Sequence, residues 1–466
     1  MCRYATILLL LIAVPTPAQL QKQLDRIFDT TPDVRQATWT CGVRNLADGA
    51  LLYERNLDHP LIPASNQKLV VMAAALLAHG AGWHAETVIH AGGPVREGVL
   101  QGDLVIVGEG AIHFTARYPR ELTVAQRQAH LRQQVWQLAD GIRGQGVNHV
   151  TGRVVPYTGP LAKWHSVATN THYACVGPLT FNENTVDIDV KRAEGSPVAD
   201  RGVTTAPEVL VSFEITRRRW PGTQRRLKKS GSDVIEVNPD RDSQDYWRLE
   251  AMAPSDYYCR VLQAMLATEG ITFGGAISEV REPADPLLIL SGLPLYELLP
   301  PLGVYSDNFR AEQIFLALGC EQFGTASFEN GGRAVLATLQ RSAIDVSGAA
   351  AADGSGLSRD NRLSSGNILS LLDHMRTSPH ADLFASSLAV AGRRGTLTDH
   401  LHGVVDRVYA KTGTLSGVKA LSGYVLVEGR PSVAFAMIGN GLRNANAAWP
   451  AFEDALGVIV KHADAQ

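Results

Sequence analysis

Ser65 and Lys68 stand three residues apart in the stretch LIPASNQKLV, residues 61–70, where a loop feeds an apolar, alanine-rich segment. On a helix, residues three apart share a face with their Cβ atoms roughly 5–6 Å apart. A neutral lysine amine at that distance can take the proton of a serine hydroxyl, provided its neighbours disfavour the ammonium form. A helix N-terminus adds free N–H groups and a dipole that favours negative charge, which suits an oxyanion. The plainer reading is that Ser65 caps the helix and Lys68 is a solvated charge. A second serine–lysine pair at the same spacing, Ser416 and Lys419, falls in strand-like sequence, so the spacing alone decides nothing.

Two further groups carry chemistry. Ser306 and Asn308 open a helical segment near Asp307–Leu318. There a hydroxyl can relay a proton and an amide can bind a substrate carbonyl or the lysine; helix capping is the alternative, and Ser365-Gly366-Asn367 shows that the pattern also arises by chance. Lys411-Thr412-Gly413-Thr414 closes a predicted strand. Its lysine supplies fixed positive charge and its threonines offer hydroxyls to a carboxylate. Gly413 lets a substrate lie against the strand edge, where an extended peptide can pair as an added strand. An ordinary sheet-edge lysine is the competing reading.

The elements around these groups follow from periodicity and turn residues. Gln19–Thr30 reads as an amphipathic helix, Ala37–Asn45 and Ala50–Glu54 as a hairpin turning at Ala47-Asp48-Gly49, and the segment from Ser65 as a helix stopping at Gly80. At the other end, Arg407–Thr414, Lys419–Val427 and Ser432–Ile438 read as strands, with a turn at Glu428-Gly429-Arg430, and Ala445–His462 as the last helix. Two strands at the start and three at the end make a five-stranded antiparallel sheet flanked by helices. Between them, short β-like runs separated by glycine, including Glu208–Thr216, and helical stretches at Gln126–Ala139 and Asp256–Thr268 indicate a large, mostly β insertion. The expected organisation is multidomain α/β (α+β): residues 19–86 and 290–466 as one discontinuous domain, and 87–289 as inserted material.

Bulk properties narrow the field. The 466 residues carry a formal net charge of -3, which gives nucleic acid no electrostatic reason to bind. Arg217-Arg218-Arg219 and Arg225–Lys229 read as solvated surface. Ala5–Val14 is apolar apart from Thr6, too short to span a bilayer, and Pro15-Thr16-Pro17-Ala18 ends on a small residue. Residues 1–18 therefore read as a secretory signal peptide cleaved after Ala18. The expectation is a protein secreted across the inner membrane, periplasmic or extracellular, with no transmembrane segment in the mature chain. Cys41, Cys175, Cys259 and Cys320 then remain, with no CxxC and no pairing legible from spacing. There is no GxSxG, HExxH, P-loop or dinucleotide fingerprint, and His84-Ala85-Glu86 lacks the PCxxC partner of a zinc deaminase.

The serine–lysine pair, then Ser306/Asn308, then Lys411-Thr412-Gly413 follow the order found in penicillin-binding proteins and class A β-lactamases. With Leu179-Thr180-Phe181-Asn182-Glu183-Asn184, Asp353-Gly354-Ser355-Gly356-Leu357-Ser358-Arg359, Gly395-Thr396-Leu397 and Leu421-Ser422-Gly423-Tyr424, the chain resembles the D-alanyl-D-alanine carboxypeptidase/endopeptidases of the S13 serine peptidases, the class C low-molecular-weight penicillin-binding proteins. The resemblance implies a penicillin-binding/β-lactamase-like transpeptidase domain. It implies Ser65 as acylated nucleophile, Lys68 as its base, Ser306 as proton shuttle, Asn308 as substrate holder and Lys411 as source of the electrostatic field. Thr412, Gly413 and Thr414 would line the substrate's terminal carboxylate, with Ser416 as a helper and the N–H groups of Ser65 and Thr414 as oxyanion hole. Peptidoglycan stem peptides are the implied substrates and β-lactams the implied covalent inhibitors, with no metal or organic cofactor. Two departures lie in the insertion. Gly110-Ala111-Ile112 and Pro156-Tyr157-Thr158-Gly159 replace segments in which relatives commonly carry an aspartate, which implies altered recognition of the stem side chain. A β-lactamase or D-amino-acid esterase on the same fold, and a non-catalytic peptidoglycan-binding protein, are the competing functions.

Overall fold

The computed structural model describes residues 16–159, 162–164, 176–191, 200–204, 213–217, 224–229, 232–237, 246–250, 254–275 and 286–465; for 188–191 and for the strands from 200 to 250 it gives the backbone path. Most of the expected signal peptide, residues 1–15, lies outside the described residues, as does Cys175. So does part of the expected strand Glu208–Thr216, of which Phe213–Arg217 is seen. The described residues form two compact units. The first comprises 16–81, 299–307 and 335–465; the second comprises 82–298 and 308–334. Contacts thus group 308–334 with the second unit, whereas the sequence reading places that stretch in the first.

The first unit is organised by one antiparallel sheet. Its strands run in the order Ala389–Val390, Val408–Leu415, Val418–Val427, Arg430–Asn440, Thr38–Asn45, Leu51–Arg55. The chain's two ends meet in the middle, where Thr38 faces Asn440 and Asn45 faces Val433. The sheet has six strands rather than the expected five. The extra one, Ala389–Val390, pairs with Tyr409 and Ala410 and is two residues long, too short to show any alternation in sequence.

Helices cover both faces, so the central strands are buried on both sides and read as near-continuous apolar runs. On one face the terminal helices Pro17–Thr30 and Trp449–Ala463 pack together. Phe28 packs tilted against Trp39, and Trp39 packs edge-on against Phe452, with ring centroids 5.0 and 5.9 Å apart. Each such side chain, once buried, contributes on the order of 1.5–3 kcal/mol. Gly439 is required at this point, because a Cβ would lie 2.6 Å from the Trp39 ring. On the sheet also lies Ser365–Thr377, which packs against Arg430–Asn440 and Thr38–Asn45. It begins in a capping box between Ser364 and Asn367 and is tied by the Tyr424 hydroxyl donating to Leu372 O at 2.7 Å.

Helix Gln67–His79 has every residue from Gln67 to Leu76 buried. It is apolar all round rather than amphipathic, as a helix enclosed on all sides must be. Ala73, Ala74 and Ala75 allow close approach. The helix ends at Gly80, φ +77, as its sequence predicts.

The second unit holds several small sheets. One orders Pro286–Ser291, Glu86–Ala91, Leu104–Gly108 and Val154–Pro156; another orders Thr272–Phe273, His149–Val150, Val99–Leu100 and Val95–Arg96. Helices Val124–Gly144 and Pro254–Thr268 share its core, including Leu131, Val135, Tyr258 and Leu262. Cys41, Cys259 and Cys320 are buried free thiols, and burial pushes the Cys41 and Cys259 thiols above the ordinary range.

Candidate active site

The site is built where the loop before Gln67–His79 meets the strand Val408–Leu415. Ala64–Asn66 form a single 3-10 turn ahead of the helix. Ala64 is held at φ +48, a conformation costly for a residue with a side chain. Ser65 makes no capping bond. Its hydroxyl instead receives Lys68 Nζ at 3.0 Å and donates to Ser355 O at 3.3 Å. The capping alternative for Ser65 therefore fails, and so does a solvated Lys68, which is fully buried beside a half-buried Ser65.

Lys68 Nζ also donates to the carbonyl of Ser355. That carbonyl belongs to a tight loop organised by Asp353. Its Oδ1 accepts from Gly356 N at 2.8 Å and Asn361 Nδ2 at 2.7 Å, and its Oδ2 accepts from Ser358 N at 2.6 Å. Gly356, φ +87, lies so close that a Cβ would fall 2.0 Å from Ala64 O. The loop thus presses against the Ala64–Asn66 turn and aims one backbone carbonyl at the Ser65–Lys68 pair. The sequence stretch Asp353–Arg359 signals the family, but a backbone acceptor has no residue type of its own, so this role was not legible.

Lys411 is fully buried and donates to Thr412 O at 2.9 Å. Its amine is held well below the ordinary lysine range, first by burial and second by the charge of Lys68. Two amines that repel each other in a low-dielectric site carry a second positive charge less readily than two isolated ones. Asn66 Nδ2 donates to Lys411 O at 3.0 Å and so joins the Ala64–Asn66 turn to the strand. Gly413 completes the junction, since a Cβ there would lie 2.8 Å from Pro63 O.

Farther along the strand, Thr412 Oγ1 donates to Thr396 Oγ1 at 2.8 Å, and Thr414 is exposed. Ser416 lies in the exposed hairpin turn, its carbonyl accepting from Arg359 Nη2 at 2.6 Å. Ser306 follows helix Leu295–Val304 at φ +60, again a left-handed position for a residue with a side chain. Asn308 opens helix Asn308–Phe323 and belongs to the second unit. The structure therefore gathers Ser65, Lys68, Lys411 and Gly413, with Thr412 and Thr414 on the same strand.

Residues 20–462 match the family described as D-Ala-D-Ala carboxypeptidase 3 (S13). The chain belongs to the S13 family. An S13 relative, the D-alanyl-D-alanine carboxypeptidase of Actinomadura sp. (strain R39), is 29% identical over 94% of this chain and 84% of its own length. The D-alanyl-D-alanine carboxypeptidase DacB of Haemophilus influenzae is 25% identical over 85% of this chain and 84% of its own. Penicillin binding protein 4 (dacB) from H. influenzae superposes with a TM-score of 0.73 at 21% identity, covering 94% of this chain and 99% of that one. The fold is thus that of an S13 penicillin-binding protein, mixed α and β around an antiparallel sheet. No helix among the described residues is long and apolar enough to cross a membrane.

Proposed function

We propose that this S13 member is a serine D-Ala-D-Ala carboxypeptidase/endopeptidase that cleaves peptidoglycan stem peptides through an acyl-enzyme on Ser65. The observation that carries the reading is the Ser65 hydroxyl bonded to a buried Lys68 beside a second buried lysine, Lys411. In the reaction, neutral Lys68 Nζ accepts the Ser65 proton as Oγ attacks the carbonyl carbon of the D-Ala–D-Ala bond. The N–H groups of Ser65 and Thr414 hold the oxyanion. Ser306 passes the proton to the leaving amine, and D-alanine departs. Water then hydrolyses the ester and regenerates Ser65. Asn308 holds the substrate amide, Lys411 supplies positive potential, and Thr412, Gly413, Thr414 and Ser416 take the terminal carboxylate. Cleavage of a D-Ala–diaminopimelate crosslink uses the same steps.

β-Lactams acylate Ser65 in this scheme. A β-lactam complex of H. influenzae penicillin binding protein 4, 22% identical, shares the fold. A β-lactamase would add a carboxylate free to activate the deacylating water. Asp353 does not suit that task, because both its oxygens are engaged within its own loop. The domain expected at 19–86 and 290–466 would carry the chemistry, in an exported protein, with the changed Gly110–Ile112 and Pro156–Gly159 segments altering stem recognition.

Labelling with a fluorescent penicillin tests the reading. The label is expected on Ser65, released slowly, and absent from Ser65→Ala. A folded wild type that takes no label overturns the enzyme, and rapid multiple-turnover hydrolysis replaces the peptidase by a lactamase. Mass spectrometry of muropeptides then separates loss of one terminal D-alanine from dimer-to-monomer conversion.

A further inference from the structure

Lys419 faces Thr414 across the hairpin that follows Lys411-Thr412-Gly413-Thr414. It is 2% exposed, and its Nζ donates to Thr414 Oγ1 at 3.0 Å and to Asn446 Oδ1 at 3.3 Å. The ammonium also sits 4.3 Å from the Trp449 ring, which carries His400 stacked at 3.7 Å. These partners are neutral oxygens and a π face. Among the described residues no carboxylate lies within ion-pair distance of Lys419. A buried cation ordinarily has an anionic partner, because desolvation without one is costly. Here burial pushes the amine down to about 8.

The hydrogen bond to Thr414 has a direction. An ammonium only donates, so Thr414 Oγ1 accepts, and its own hydrogen must point elsewhere. Thr414 is exposed while Lys419 is not. The hydroxyl of this exposed threonine thus keeps its hydrogen available to donate away from Lys419, with a positive charge behind it. An anion bound to it would lie within about 6 Å of Nζ, the sum of two hydrogen-bond lengths.

We propose that Lys419 is a positioning and specificity residue: it orients the Thr414 hydroxyl and supplies the counter-charge for a substrate carboxylate, so that the enzyme selects peptides ending in a free carboxylate one residue beyond the scissile bond. The missing anion of Lys419 is then the substrate itself. The inference rests on the peptidase reading above and deepens it, since it names which substrates the same strand prefers.

The test compares two synthetic peptides that differ only at the C-terminus, one ending in D-Ala-D-Ala and the other in D-Ala-D-Ala amide. Wild type, Lys419→Met, Lys419→Gln and Lys419→Arg are assayed with both, after penicillin mass labelling of Ser65 establishes that wild type acylates. Removing a charge-assisted contact is expected to raise KM for the carboxylate peptide about 10- to 100-fold, with a smaller change in kcat. The amide peptide should be nearly unaffected, and Lys419→Arg should restore most of the preference. If Met and Gln variants weaken both peptides equally, or leave the carboxylate-to-amide ratio unchanged, Lys419 is a structural residue and the proposal is wrong. If wild type itself does not acylate, the peptidase reading fails first, which is a separate and distinguishable outcome.

Discussion

The two units of this molecule treat buried charge in opposite ways. In the second unit, Glu183 is fully buried and answered by two arginines. Arg117 Nη1 reaches its Oε2 at 2.8 Å, and Arg310 Nη2 reaches its Oε1 at 3.0 Å. The backbone strains to make this pair, for Asn182, Glu183 and Asn184 are all left-handed, at φ +49, +55 and +55. In the first unit, Lys411 and Lys419 are equally buried, but their recorded partners are a carbonyl, a hydroxyl, an amide oxygen and a ring. A matched ion triad fixes architecture, whereas cations answered only by neutral groups keep their field for something that arrives.

Four measurements bear on that contrast. The largest effect on stability is expected from Glu183→Ala, which leaves Arg310 buried without its anion. Unfolding of the variant by denaturant should show a loss of about 3–5 kcal/mol. Lys411→Met should do the reverse. It removes a buried amine whose hydrogen-bond partner among the described residues is a neutral carbonyl, so the midpoint of unfolding should hold or rise. Penicillin acylation should nevertheless slow by about 10²–10³-fold, the usual cost of losing one group that stabilises developing charge. A Lys411→Met protein that melts early would show the lysine to be structural and would erase the contrast.

A smaller effect comes from Gly356→Ala. The added methyl meets Ala64 O and a backbone held at φ +87, so the loop must withdraw from the nucleophile turn. Stability should drop by about 1–3 kcal/mol, and acylation should fall with it because the Ser355 carbonyl moves. The smallest effect is a slope. Lys419 titrates at about 8 in the folded chain and near 10.4 when unfolded. Between those values the unfolded state binds more protons, so the free energy of unfolding rises with pH across that window. Wild type minus Lys419→Met, measured from pH 7 to 10, should show that positive slope; a flat difference would mean the amine is not desolvated.

Much of the architecture was open to reading in one dimension. Strand alternation, the Glu428-Gly429-Arg430 turn and the glycine stop at Gly80 are local signals, set by the backbone preferences of a few neighbouring residues. The two-residue strand Ala389–Val390 was not legible, because it exists only through its partner Val408–Leu415. Helix Asn308–Phe323 was found, but not its grouping with the second unit, since its apolar face does not say which core it joins.

The site divides along the same line. Residue types and their order along the chain pointed to Ser65, Lys68, Ser306, Asn308 and Lys411 as candidates, because the proposed chemistry needs those functional groups whatever the fold. That Ser65 faces Lys68 rather than capping its helix goes with a tertiary contact: the Ser355 carbonyl, 290 positions from Ser65, accepts from both side chains. The aim of the Ser355 carbonyl and the bond from Lys419 to the Thr414 hydroxyl belong to the folded state alone. Burial and the direction of a hydrogen bond are relations between distant parts of the chain, and folding creates them.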